Sequence, residues 1–272
     1  MSPVDRAPEL NYQGRTPFVA YTEADVLHNL IHTNTDEPLE ANFVIVTQVM
    51  ELHFELLRRE WQLAITRLGA DDLHDATAVL RRSGAAQTSL LASWGMLEPM
   101  SPTQYNRFRG ALGKASGFQS FGYREIEFLL GAKDEHMLRP HVGMPAIAAR
   151  LQAIFDAPSL YDAALALLAR RGRPVPGDVL ARDPHRAYDE ADDRLVEVWH
   201  KVYTDGGELA ELAEALIGVA ERHTRWRFVH YTAVRRILGD KPGTGGSAGL
   251  VWLKRAADTM VFPDLWEVRG VL

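Results

Sequence analysis

The 272-residue chain contains no cysteine, which excludes disulfides, thiolate-ligated metals and cysteine nucleophiles together. It lacks any apolar run long enough to cross a bilayer, so no membrane span is expected. The N-terminus, Met1-Ser2-Pro3-Val4-Asp5-Arg6, has no basic cap leading into an apolar stretch, and no signal peptide is expected there. A formal charge of −6 without a basic stripe argues against a nucleic-acid partner. A cytoplasmic protein is the default expectation. Alternating strand patterns, Rossmann or Walker glycine patterns and internal repeats are all missing. Ser116, Ser120 and Ser247 lie in glycine-containing loops, but no Gly-x-Ser-x-Gly elbow surrounds them, which weakens a hydrolase reading.

What is present is helical periodicity in a globular composition, 46% apolar and 24% charged. Residues 1–20 are rich in proline and polar side chains and read as an extended arm ahead of one helical domain, 21–272. Tyr21 to His32 predicts a short helix with Thr22 as its cap. From Asn42 to Leu68, the residues Phe43, Val46, Met50, Phe54, Leu57, Trp61, Ile65 and Leu68 recur at three- and four-residue steps. A helix of that length spans about 40 Å. Asp72 to Leu97 repeats the pattern, and Ser101-Pro102 opens a helix bearing Tyr105, Phe108, Arg109 and Leu112. Residues 115–120 read as a shaped loop and Tyr123 to Leu130 as helix, while 132–145 read as irregular. Further helices are predicted over 145–155, 159–170, 189–204, 207–238 and 252–260. The expected architecture is all-α, a single domain of long antiparallel helices.

One residue breaks the pattern. His230 sits in an apolar stripe with Trp226, Val234 and Ile237, on a helix that stops at Gly239 and runs into Pro242-Gly243-Thr244-Gly245-Gly246-Ser247. An imidazole on such a face is either a hydrogen-bonded core group or a ligand. Among the ten histidines none makes a His-Glu-x-x-His spacing. His28 and His32 read as surface residues and His53 as structural. Glu51 and Glu55 share a face, but no matching pairs on other helices support a di-iron site. Arg109, if buried, needs a carboxylate from the protein or from a ligand. The loops 115–120 and 243–249 offer backbone N–H groups suited to carboxylates. A helical, cysteine-free pocket with one axial-type histidine is compatible with haem.

At these residues the chain resembles the tryptophan 2,3-dioxygenase family. The matching pieces are Phe43-Val44-Ile45-Val46-Thr47-Gln48 with Glu51-Leu52, Tyr105-x-x-Phe108-Arg109, and Ser116-Gly117-Phe118-Gln119-Ser120 with Tyr123-Arg124. Trp226-Arg227-Phe228-x-His230 and Gly243-Thr244-Gly245-Gly246-Ser247-x-Gly249 complete the set, all in family order. The resemblance implies haem b with His230 as proximal iron ligand, and Trp94, Ser116, Gly117 and Phe118 around the cofactor. It implies that Arg109, helped by Tyr105, takes the substrate carboxylate, with Thr244 near ammonium and carboxylate. Phe43 and Leu112 would wall the indole. The family assembles as a homotetramer whose N-terminal segment closes a neighbour's pocket, which puts Phe18, Tyr21 and Thr22 there.

The departures lie around the indole. Thr47 occupies the distal position where the family carries histidine; a hydroxyl accepts a hydrogen bond but is no base near neutral pH. Phe18, Thr22 and His53 also differ from the usual residues. The resemblance therefore implies an O2-using oxygenase acting at the indole C2–C3 bond of L-tryptophan or a substituted (for example β-methyl) tryptophan. Thr47 and the altered arm lean towards mono-oxygenation to a 2-oxindole or 3-hydroxy product. The alternative is dioxygenation to N-formylkynurenine. A haem-binding sensor and a helical interaction module are the non-enzymatic readings.

Overall fold

The structure, a computed structural model, describes residues 8–239, 241–246 and 249–272. The expected loop serine Ser247 lies outside them. Among the described residues the secondary structure is helix and turn with no strand, which agrees with the all-α expectation. No helix among them is long and apolar enough to cross a membrane.

Two helices of equal length dominate: α3 (Pro38–Gly69) and α11 (Gly207–Leu238). Between them in sequence comes α4 (Leu73–Ala92), which packs against both. The periodic residues of α3 form its inward face: Val46, Met50, Phe54, Leu57, Trp61 and Leu68 are all buried. Only Ala70–Asp72 joins α3 to α4, so the two turn back on each other. The pairings Asn42 with Met96 and Trp61 with Ser83 show the antiparallel register. In contrast, Arg81 meets Glu211, Gln87 meets Val219 and Trp94 meets His230. The numbers rise together, so α4 and α11 run in the same direction and α3 opposes both.

The helices α5 (Pro102–Arg109) and α6 (Phe121–Leu129) close one side of this layer, with a short 3-10 turn at Gly117–Gln119 between them. Ser101 caps α5 through a reciprocal capping box with Gln104, as the Ser-Pro start predicts. On α6, every residue from Gly122 to Leu129 is buried. It approaches α3 so closely that a Cβ on Gly122 would lie 2.6 Å from Glu51 Oε2 and 3.1 Å from Phe54 Cβ.

The other half of the chain builds outward from there. It comprises α7 (Pro145–Asp156), α8 (Leu160–Arg170), α9 (Gly177–Leu180), α10 (Asp193–Asp205), α12 (Leu250–Asp258) and α13 (Pro263–Glu267). Asp264, 1% exposed, ties this half together. It accepts from the Tyr161 hydroxyl at 2.7 Å and the Asp192 amide at 2.7 Å, while Trp199 Nε1 donates to the same tyrosine oxygen at 2.8 Å. That network fastens α13 to α8 and α10. The stretch 132–145, expected to be irregular, contains a 3-10 segment at Glu135–His141.

The N-terminal expectation needs correction. Instead of one helix over Tyr21–His32 there are two short ones, α1 (Pro17–Thr22) and α2 (Ala24–His28), hinged at Glu23 with φ 51. Thr22 is not a cap: its hydroxyl donates back to the Phe18 carbonyl, and Thr16 caps α1 instead. Pro17 at the first helical position starts the helix early. Beyond Glu23 the apolar residues Val26, Leu27 and Leu30 find no core and stay exposed. Helices this short depend on tertiary packing for their stability.

The α3–α6 contact leads to a specific expectation. Gly122→Ala inserts a methyl group where Glu51 and Phe54 already sit, and should destabilise the protein by about 1–3 kcal/mol. A lower urea midpoint with an unchanged slope would show it. A variant as stable as the parent would mean that α6 slides freely on α3.

Candidate functional site

The site is built on the inward face of α11. Trp226 and His230, one turn apart, both point towards Trp94, which follows α4 on a 3-10 turn at Ser93–Met96. The His230 ring stacks on Trp94 with centroids 4.6 Å apart and planes at 19°, and Trp226 lies 5.4 Å away. Burial first, and then the Arg124 cation, push the His230 pKa down to about 4. At neutral pH the imidazole is therefore uncharged and keeps a lone pair available. Around it, the indole Nε1 atoms of Trp94 and Trp226 are buried and meet no hydrogen-bond partner among the described residues. Two orphaned donors beside a neutral imidazole are costly in a finished core, and this fits a pocket shaped for a bound group.

The second wall comes from α5 and α3. Tyr105 and Arg109 share a face at i, i+4. Phe43 lies 6.1 Å from the Tyr105 ring and 5.7 Å from Phe108, which is wholly buried. Arg109 is half-buried; its Nη2 donates to the Pro242 carbonyl at 2.6 Å, while its Nε is buried and unpartnered. Burial pushes the Tyr105 hydroxyl up in pKa, against the pull of the Arg109 cation. Among the described residues no carboxylate pairs with Arg109. Among the described residues its charge is thus met by a carbonyl, which leaves room for an anionic ligand.

The two small-residue loops do converge. The backbone breaks at Gly239, with φ 62, and turns residues 241–246 back over α5. The Thr244 hydroxyl donates to the Ala115 carbonyl. A Cβ at Gly245 would stand 2.6 Å from the Phe118 ring and 2.8 Å from Ser116 Cβ, so only glycine permits this closeness. Ser116 and Gln119 close a capping box around Gly117–Phe118. Leu112, on a 3-10 turn after α5, is half-buried beside this loop. Thr47 is exposed and donates its hydroxyl hydrogen to the Phe43 carbonyl at 2.8 Å, leaving only lone pairs to offer.

Phe18 and Tyr21 stand 70% and 90% exposed, and Thr22 is exposed beside them. Within one chain they join no part of this pocket. His28 and His32 are exposed, and the His53 Nδ1 lies 2.7 Å from the Val49 carbonyl one turn back, as a structural histidine would. Among the described residues no group of three or more metal-ligating side chains gathers.

Comparison with known proteins decides the family. The profile described as Tryptophan 2,3-dioxygenase matches residues 4–203 and 200–272. The chain belongs to the tryptophan 2,3-dioxygenase family. It is similar to the tryptophan 2,3-dioxygenase of Myxococcus xanthus, with 40% identity over 95% of this chain and 90% of the relative. Similarity to that of Burkholderia pseudomallei (strain 668) is 38% over 97% of this chain and 87% of the relative. For the tryptophan 2,3-dioxygenase of Bacillus cereus it is 38% over 99% and 97%.

Several groups packed behind Trp226 have little or no signal in the sequence. Tyr123 packs 5.0 Å from Trp226, and Arg124 spreads over Tyr123 at 4.8 Å and Trp252 at 5.7 Å. His223 stacks on Tyr123, and His141 is 1% exposed with neither ring nitrogen partnered. The pair Tyr123-Arg124 belongs to a recognised motif, and that was its only signal; nothing in the spacing marks His141 or His223.

His141, His223 and His230 share a direction: burial, aided by Arg124 or Arg227, lowers all three below the usual 6.5. A group held neutral in the folded state contributes stability above its unfolded pKa and loses it as pH falls through the folded value. The urea midpoint of cofactor-free protein should therefore fall steadily from about pH 6.5 towards pH 4. A flat profile across that window would contradict buried, neutral imidazoles.

Proposed function

We propose that this family member is a haem-dependent oxygenase that uses O2 on the indole ring of L-tryptophan or a substituted tryptophan. The observation that carries the reading is the pairing of a neutral His230 beside Trp94 with an Arg109 that meets no carboxylate among the described residues. The relatives' shared name points to the same substrate. His230 would ligate the iron of haem b, with Trp94, Ser116, Gly117 and Phe118 around the cofactor. When bound, haem supplies the binding and activation of O2.

The protein's own groups do the positioning. Arg109 and Tyr105 take the amino-acid carboxylate by charge-assisted hydrogen bonds. Thr244, held on the returning loop, adds a hydroxyl near the ammonium and carboxylate. Phe43 and Leu112 give the indole an apolar wall. Thr47 offers only an acceptor to the indole N–H, since its own hydrogen is engaged by Phe43. The exposed Phe18, Tyr21 and Thr22 would close the pocket of a neighbouring subunit in a homotetramer, leaving residues 21–272 as the haem-binding domain.

Thr47 supports the transfer of one oxygen atom, giving a 2-oxindole or 3-hydroxy product. The family name supports transfer of two, giving N-formylkynurenine, equally well. Turnover of tryptophan and β-methyl-tryptophan under isotopically labelled O2 decides between them: two labelled atoms in the product would sink the first version, and one would sink the second. A sensor that binds haem without turnover would need His230 but not a poised Arg109.

The roles separate in two variants. His230→Ala should lose the Soret band of the purified protein; full haem retention would remove the ligand assignment. Arg109→Ala should chiefly raise KM, since losing a half-buried charged clamp falls at the low end of the about 2–5 kcal/mol that truncation costs in a buried site. Unchanged kinetics would mean that Arg109 serves only to hold the Pro242 carbonyl.

A further inference from the structure

Glu51 has so far no part in the site, although it stands on α3 one turn after Thr47. Its side chain is partly buried against the start of α6. Among the described residues no cation acts on it. Burial pushes its carboxyl up in pKa, against the pull of the Ser120 hydroxyl and the Gly122 amide. A desolvated carboxylate without a counter-charge is disfavoured, and an apolar side chain on that face of α3 would avoid the penalty. What the carboxylate adds is a bond that an apolar group lacks. Its Oε1 accepts from the Ser120 hydroxyl, and its Oε2 lies where a Cβ on Gly122 would come within 2.6 Å.

Ser120 joins two structures. Its Oγ caps α6 by accepting from the Tyr123 amide at 3.0 Å, and it is also the last residue of the 115–120 loop. That loop is wound on itself. The Ser120 amide donates to the Gly117 carbonyl at 3.1 Å, and the Gln119 amide to the Ser116 carbonyl at 2.9 Å. The Gln119 side chain accepts from the Ser116 amide at 3.1 Å. At its other end the loop meets the returning segment 241–246. The Ala115 carbonyl accepts from the Thr244 hydroxyl, and Ser116 and Phe118 lie against Gly245. Among the described residues, Glu51 and Thr244 are the two side chains from outside the loop and α6 that bond it. A wound loop held at one end transmits that hold to the other.

We propose that Glu51 is a positioning residue, which holds the 115–120 loop through Ser120 and thereby places Thr244 beside the amino-acid end of the substrate. The substrate half of this inference rests on the oxygenase reading. The mechanical link from Glu51 to residues 241–246 does not. Arg109 stands on α5 and makes no bond to this loop, so its hold on a carboxylate is independent of Glu51.

The test compares haem-loaded parent and Glu51→Met, which keeps the bulk and removes the acceptor. Hydrogen exchange should quicken in 115–120 and in 241–246 together. KM for L-tryptophan should rise about three- to tenfold, the worth of one hydrogen bond, with haem content unaltered. The inhibition constant of indole-3-propionate, which keeps the carboxylate but lacks the ammonium, should rise less. If Glu51→Met does not fold by circular dichroism, Ser120→Ala carries the same readouts, with Ser120→Thr restoring the hydroxyl and the parent behaviour. Faster exchange confined to the start of α6, with 241–246 as in the parent, overturns the proposal. Equal losses for tryptophan and indole-3-propionate also overturn it, since they would mark a general loosening. A parent that leaves tryptophan untouched would strike the oxygenase reading, and the exchange result would still decide the link.

Discussion

The enclosure of α6 is the constraint on which much else depends. A helix buried along eight consecutive residues, three of them charged, is tolerable only if each charge is met where it lies. Glu125, with no exposed surface, sits between Arg58 of α3 and Arg150 of α7. Glu127 turns back to Arg124. Those ion pairs set which faces of α3 and α7 can meet α6, and Gly122 sets how near α3 can come. Among the described residues Arg124 is then left with two nitrogens without a partner, its guanidinium lying over the Tyr123 and Trp252 rings.

The same geometry explains why the half-buried His230 remains neutral. An imidazole stacked on Trp94 and facing a buried cation has every reason to shed its proton. A neutral ring with a free lone pair is what an iron ligand requires. The unpartnered indole nitrogens of Trp94 and Trp226 reinforce the point, because a core evolved only for packing would satisfy or replace them. Arg109 completes the logic from the opposite wall, where a cation meets a carbonyl and, among the described residues, no acid.

Much of this was legible in the chain. The three- and four-residue steps of α3 mark the helix and its buried face, because burial along one stripe is what the periodicity records. His230 stood out as a polar residue in that kind of stripe on α11, and Gly239 marked where the chain turns back. The contact of Gly245 with Phe118 has no local signature, although both loops were recognisable as small and shaped. The direction of α11 relative to α4 is a matter of the long intervening segment, which periodicity does not describe. The N-terminal helices were misplaced because their apolar residues pack on nothing in this chain, so propensity and proline placement decided their ends alone.

What the pattern could not express is charge compensation at a distance. Arg124 looks in sequence like any arginine beside a tyrosine, and its burial arises only when α6, α11 and α12 surround it. Glu127 and Lys133 lie far from Arg227 in the chain, and the three come together only in the fold. Composition even points the wrong way, since a chain of net charge −6 gives no hint of buried cations. Net charge is set by a solvated surface that tolerates either sign, whereas a buried site is governed by the few groups that water cannot reach. For that reason an acidic protein can still leave buried arginine nitrogens incompletely bonded.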